Sequence, residues 1–275
     1  MAAAETGSVV VLGGGSLGSA ILAGLSAAGV TGLRATTRTD ASAARYEGTG
    51  VSAVSLEADP AANRAALAGA DVVIAGVKPV GMADLLREVG DALEPGAVVV
   101  SLAVGTPIAP LEAALPAGAA LVRAMPNTPV RVNRGVTGLA RGTAVGDEAF
   151  ARVQAVFGLL GEVVVLDDER IDRIAAVAGS GPAYVYLLLE RFADAAVGLG
   201  FARDDAERVV AQTFAGALAL LETTGESPAA LRRGVTSPNG TTAAAVAVFE
   251  QRDLGGLIAD ALDGAMARAA ELAAR

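Results

Sequence analysis

Val9-Val10-Val11-Leu12-Gly13-Gly14-Gly15-Ser16-Leu17-Gly18 decides how this chain begins to fold. A β-branched run ends in glycines, and helix-spaced apolar residues follow at Leu17, Ile21, Leu22 and Leu25. The glycines read Gly13-x-Gly15-x-x-Gly18. The first permits a tight turn, the second lets the backbone approach a pyrophosphate, and the third lets a helix pack closely on a strand. The helix N-terminus then faces the phosphates. Such a pattern alone is weak and also suits an incidental glycine-rich turn. With a strand before it and a helix after it, the dinucleotide-loop reading is favoured.

Downstream, strand candidates lie at 33–37, 51–54, 71–77, 98–103, 119–124, 136–140 and 163–166. Helical windows lie between them at 39–48, 60–69, 82–93, 108–115 and 147–160. Strands that alternate with helices imply right-handed βαβ units and a mostly parallel sheet. After Leu166 no convincing strand remains, and 169–178, 182–198, 204–222 and 253–274 show helical spacing. The expected fold class is therefore α/β: a doubly wound, mostly parallel sheet, then an all-helical half. The expected domains are 1–166, binding the dinucleotide, and 167–275. The helical half is rich in Ala and Leu and poor in large side chains. Burial against a second copy is favoured over a self-contained bundle.

Composition narrows the chemistry. The 275 residues are 53% apolar but only 3% aromatic, so the core is packed from small aliphatic side chains. Net charge is −9 with no basic cluster longer than a pair, which argues against nucleic acid and acidic membranes as partners. The absence of cysteine removes disulfides, thiol catalysis and thiolate metal sites. The absence of histidine removes the usual general base and the usual transition-metal ligand. No metal site is expected. Hydride transfer suits this inventory, because a nicotinamide carries the hard chemistry itself. The first residues lack the basic and apolar regions of a signal peptide, and no run is long enough to span a membrane. A soluble, cytoplasmic protein is expected.

The second strand candidate ends in Thr36-Thr37-Arg38-Thr39, where an NAD site usually places a carboxylate. Hydroxyls and an arginine suit a 2′-phosphate instead, so NADPH is expected, with NADH as the alternative donor. Arg38 could also be a solvated loop charge. Val77-Lys78-Pro79 and Met125-Pro126-Asn127-Thr128-Pro129 follow later strands and fall on the ligand edge of the sheet. Lys78 either faces the cofactor or is solvated, while Asn127 and Thr128 offer hydrogen bonds near a nicotinamide. Near the other end, Val235-Thr236-Ser237-Pro238-Asn239-Gly240-Thr241-Thr242 precedes an alanine-rich helical pattern. A turn that opens a helix presents free N–H groups to a small carboxylate. These residues equally suit a capped surface turn.

Taken in order, GGGSLG (13–18), VKP (77–79), MPNTP (125–129), GSGPAY (179–184) and VTSPNGTT (235–242) resemble the pyrroline-5-carboxylate reductase family. The resemblance runs from Val9 onward. It implies a Rossmann-type domain followed by a helical dimerisation domain, with a homodimer whose interface holds the substrate pocket and dimers that assemble further into a decamer. The implied reaction reduces the cyclic imine 1-pyrroline-5-carboxylate to L-proline with NAD(P)H, the last step of proline biosynthesis. It implies that Leu12, Gly13, Gly14, Gly15, Ser16 and Leu17 wrap the pyrophosphate and that Asn63 touches the adenosine side. Val77, Lys78 and Pro79 would line the cofactor, with Leu102, Ala103 and Val104 near the nicotinamide. Ser237, Thr241 and Thr242 would hold the substrate, with Thr242 the catalytic residue nearest the ring nitrogen. Backbone N–H groups at Gly240, Thr241 and Thr242 would hold the carboxylate.

Three positions depart from the family pattern. Val80 stands where Gln is common, Asn239 replaces the first of two glycines, and Asp168 stands where Glu is frequent at a substrate contact. The alternatives are an NADPH-dependent reductase of another cyclic imine or of a β-hydroxy or keto acid, and a non-catalytic nucleotide-binding oligomer. Hydroxyacid members rely on a lysine in the helical half, and no lysine follows Lys78. Pro182 either marks a helix start or sits among glycines that let the backbone approach substrate or partner. Glu190 and Asp194 read as a solvated face or as partners of Arg191 and Arg203.

Overall fold

The computed structural model describes residues 6–273. Its first part is a sheet of eight strands in the order β3-β2-β1-β4-β5-β6-β7-β8. The strands are β1 (Val9–Leu12), β2 (Arg34–Thr37), β3 (Ser52–Ser55), β4 (Val72–Ala75), β5 (Val98–Ser101), β6 (Ala120–Pro126), β7 (Gly135–Arg141) and β8 (Gly161–Val165). β1 to β6 are mutually parallel, β7 runs antiparallel to β6, and β8 is parallel to β7. This is the doubly wound Rossmann-type plan, with its order reversing beside β1.

Strands covered on both faces read as continuous apolar runs. Val9, Val11, Ile74, Val100 and Val122 pack on one face, with Ile21 and Leu25 of α1 (Ser16–Ala27). Val10, Leu12, Val73, Val99 and Leu121 pack on the other, with Met82 and Leu86 of α4 (Pro79–Val89). Each such side chain contributes about 1.5–3 kcal/mol when fully buried.

Two helical windows are shorter than their apolar spacing predicts. The 39–48 window becomes α2 (Asp40–Ala43) and a 3-10 turn, and 60–69 holds only α3 (Ala62–Ala65) as α-helix. Positive φ at Gly48, Gly50 and Gly69 marks left-handed turns after each. Further on come α5 (Ile108–Glu112), α6 (Asp147–Gly158) and α7 (Asp168–Ile174). α8 (Gly181–Gly198), α9 (Arg203–Thr224), α10 (Pro228–Gly234), α11 (Thr241–Gln251) and α12 (Leu254–Ala273) complete the described chain. No strand follows Val165 among the described residues. Helix α10 lies outside the helical segments read by spacing, though it carries a start signal: Ser227 accepts from the Ala230 N–H and Pro228 takes the first position.

One compact unit runs to Pro182 and takes in the residues from Met266, and Ala183–Ala265 form the other. Among the described residues no helix is long and apolar enough to cross a membrane.

Candidate functional site

The glycine-rich loop is bolted to the end of β2. The Gly13 and Gly14 N–H groups both donate to the Thr36 carbonyl, at 3.1 and 2.8 Å. Gly13 has φ +91°, which a side chain would strain. A Cβ on Gly18 would lie 2.7 Å from the Gly13 carbonyl oxygen, so this glycine permits the close helix-on-strand packing. A Cβ on Gly15 would meet nothing within 4 Å. Gly15 caps α1 without a side-chain hydrogen bond, so the first-turn N–H groups are left for an anion.

A cleft of about 460 Å³ opens over this loop, bringing Gly13, Gly14, Gly15, Thr37, Arg38, Asn63, Val77 and Lys78 together. Thr36 donates its hydroxyl to Asn63 Oδ1 at 2.7 Å, and Asn63 Nδ2 donates to Glu88 at 3.1 Å. These bonds fix Asn63 as one wall. Arg38 and Lys78 are exposed, and neither forms an ion pair with described residues. Tyr46 donates to the Gly14 carbonyl at 3.2 Å from behind the loop. Burial pushes its phenol above the ordinary value, opposed in part by Arg45, so it remains a neutral donor. A larger groove of about 570 Å³ lies along α1 and shares only Gly14 with the expected cofactor residues.

The remaining expected residues take different positions. Leu12 is buried in β1, so only its backbone adjoins the loop, and Leu17 packs partly against the core. Ser16 is exposed, and Pro79 starts α4 beside the cleft. Leu102 and Ala103 are buried just past β5, whereas Val104 is 41% exposed. Asn127 spends its amide within the chain, donating to the Ala178 carbonyl at 3.0 Å and accepting from the Val136 N–H at 2.9 Å.

Asp168 also has partners within the chain. Its carboxylate accepts from Arg123 at 2.8 Å and from the Ile108 N–H at 2.8 Å. Arg123 reaches Asp172 as well, at 2.5 Å, and Asp172 accepts from the Gly105 N–H at 3.2 Å. Sequence reasoning passed over Arg123 and Asp172. A signal was present: an arginine inside the apolar strand Leu121-Val122-Arg123-Ala124-Met125, with Asp168 and Asp172 spaced i, i+4 on one helix face.

The second unit carries the late loop. Asn239 adopts φ +57°, the left-handed conformation that asparagine tolerates, so the turn forms without a second glycine. The Gly240 N–H donates to the Ser237 carbonyl at 3.0 Å. A Cβ on Gly240 would lie 2.5 Å from Ser237 Oγ, so a side chain here would make that hydroxyl turn away. Gly240 begins α11 with no side-chain cap. Ser237, Thr241 and Thr242 are exposed, and their hydroxyls bond to no described residue. The loop therefore closes one N–H on itself and leaves these three hydroxyls unengaged. Asp194 pairs with Arg191 at 3.2 Å and Arg203 at 2.8 Å, in keeping with the ion-pair reading.

Residues 168–272 match the family model described as pyrroline-5-carboxylate reductase dimerisation. Residues 8–105 match the one described as NADP oxidoreductase, coenzyme F420-dependent. The chain is 37% identical over 270 residues to the pyrroline-5-carboxylate reductase of Pseudomonas aeruginosa, covering 98% of each. A solved pyrroline-5-carboxylate reductase from Coxiella burnetii superposes with a TM-score of 0.88 at 35% identity, covering 97% of this chain and 98% of that one. Pyrroline carboxylate reductase from Plasmodium falciparum, solved with NADP bound, shares the fold at 24% identity and a TM-score of 0.83, covering 98% and 99%.

Proposed function

The chain belongs to the pyrroline-5-carboxylate reductase family, and from that premise we propose that it reduces 1-pyrroline-5-carboxylate to L-proline with NADPH. The observation that carries the chemistry is the uncapped start of α11, with three unengaged hydroxyls around it. Backbone N–H groups at Thr241 and Thr242 offer a carboxylate a seat that needs no arginine, whereas the Gly240 N–H is already held by the Ser237 carbonyl. Hydride from the nicotinamide adds to the imine carbon, the C=N double bond becomes single, and the nitrogen keeps a proton. A protonated imine is already electrophilic, so the main task is alignment. Thr242 is assigned the hydrogen bond to the ring nitrogen, and Ser237 and Thr241 orient the substrate.

On the cofactor side, the first-turn N–H groups of α1 would take the pyrophosphate, with Leu12 to Leu17 wrapping it. Arg38 and Thr37 would take the 2′-phosphate. Asn63 walls the adenosine side, and Val77, Lys78 and Pro79 line the rest. Leu102, Ala103, Val104 and Asn127 border the nicotinamide. Asp168 is assigned to the substrate side, where the family pattern has its acidic contact. We assign residues 1–166 to cofactor binding and 167–275 to dimerisation and substrate binding, with a homodimer, its assembly into a decamer, and a cytoplasmic location. Exposed Tyr186, Leu187, Leu218 and Leu257 support burial against a second copy.

The test is loss of reduced-nicotinamide absorbance with 1-pyrroline-5-carboxylate, using NADPH and NADH in parallel. Turnover that favours NADPH is expected. NADPH binding without turnover would refute the assigned substrate and point to another cyclic imine.

A further inference from the structure

Arg123 is 1% exposed and sits in β6, opposite Ser101 on one side and Ala140 on the other. Ser101 is the last residue of β5, so the guanidinium lies at the level where the 102–108 loop leaves the sheet. Its side chain joins two carboxylates one helical turn apart on α7. Each carboxylate also accepts a backbone N–H from that loop: Asp172 from Gly105, and Asp168 from Ile108. Strand, loop and helix thus meet at one buried node. A planar guanidinium that bridges two carboxylates fixes angles as well as distances. A buried arginine with its Nε left unbonded is a costly element to keep for packing alone.

We propose that Arg123 is a positioning residue for hydride transfer. Through Asp168 and Asp172 it holds the backbone from Leu102 to Ile108 in one conformation, and so sets the wall against which the nicotinamide ring rests. This rests on the reading above that Leu102, Ala103 and Val104 border the nicotinamide. Arg123 itself is assigned no contact with substrate or cofactor. Its effect is on the angle and distance of the transferred hydride, a quantity to which rate is steeply sensitive.

Asp172→Asn keeps the shape of the side chain and an acceptor for Gly105 but removes a charge from the node. Arg123→Lys keeps the charge but cannot bridge both carboxylates. Each variant would be assayed for kcat and both KM values, NADPH binding stoichiometry, thermal midpoint, and the isotope effect with NADPH deuterated at the transferred position. Expected is a fall in kcat of on the order of tenfold or more, with NADPH still binding one per chain, both KM values within about twofold, and a larger isotope effect. A lower thermal midpoint with unchanged kcat would overturn the proposal and leave the clamp purely structural. So would a loss confined to the KM for NADPH. If one variant fails to fold, the other decides. Wild-type chain that binds NADPH but does not turn over 1-pyrroline-5-carboxylate would sink the functional reading instead, independently of the variants.

Discussion

Phe157 in the first compact unit is fully buried, whereas Leu218 in the second is 57% exposed. The contrast holds across both. Two apolar layers, one on each face of the sheet, give the first unit a finished core. In the second, α9 buries only Ala206 and Val210, and α11 buries nothing. Phe192, Phe214 and Phe249 form its aromatic cluster, yet Phe192 and Phe249 remain more than two-fifths exposed. The cofactor unit is complete as a single chain. The helical unit presents apolar faces that a second copy would cover.

Substitutions can break this comparison, beginning with the most damaging. Phe157→Ala should cost about 3–5 kcal/mol, read as a drop in thermal midpoint that does not vary with protein concentration. A concentration-dependent loss would place Phe157 under the control of assembly. Leu218→Glu should do the reverse. It puts a charge on an apolar face, so light scattering should show dissociation at concentrations on the order of a hundredfold higher than for wild type. An unchanged mass would remove Leu218 from the interface.

The binding loops sharpen the same contrast. Thr242→Ala should lower kcat about a hundredfold while NADPH binding by fluorescence titration stays unchanged. Equal losses in turnover and cofactor affinity would count against its role at the imine nitrogen. Arg38→Ala should raise the KM for NADPH roughly tenfold and leave that for NADH untouched, since the lost group meets only the 2′-phosphate. A matching change in both would make Arg38 a solvated charge.

The smallest effect belongs to Asp194. The hydrogen bond from Arg203 holds its carboxyl below the ordinary value, against a smaller opposing effect of desolvation. Its folded value is depressed, so its contribution is present above the ordinary aspartate range near ~3.9 and lost as pH falls through the lower folded value. Exposed pairs are screened by solvent. Asp194→Asn should therefore melt slightly earlier than wild type at neutral pH, with the gap closing in acid. A gap that widens in acid would reverse the sign.

Much of this was legible in the sequence because it is local. The alternation of strands and helices, the Gly13-x-Gly15-x-x-Gly18 turn and the left-handed tolerance of Asn239 depend on neighbours a few residues away. The short α2 and α3 escaped because apolar spacing continues through glycines that end helices. The node of Arg123, Asp168 and Asp172 escaped for a different reason. Its partners are 45 and 49 residues apart, and a charge in an apolar strand does not name its counter-charge. The family pattern alone places Asp168 at a substrate contact and says nothing of the cation beside it.

The exposed apolar helices carry a consequence for mass action. A helical unit that finishes its burial only on meeting a copy of itself has no single intrinsic stability, because any value measured for it contains a protomer concentration. Its last assembly step is bimolecular, so dilution slows it while leaving the closure of the first unit untouched. Abundance then becomes a thermodynamic variable. Halving expression would remove half the molecules and also loosen the remainder.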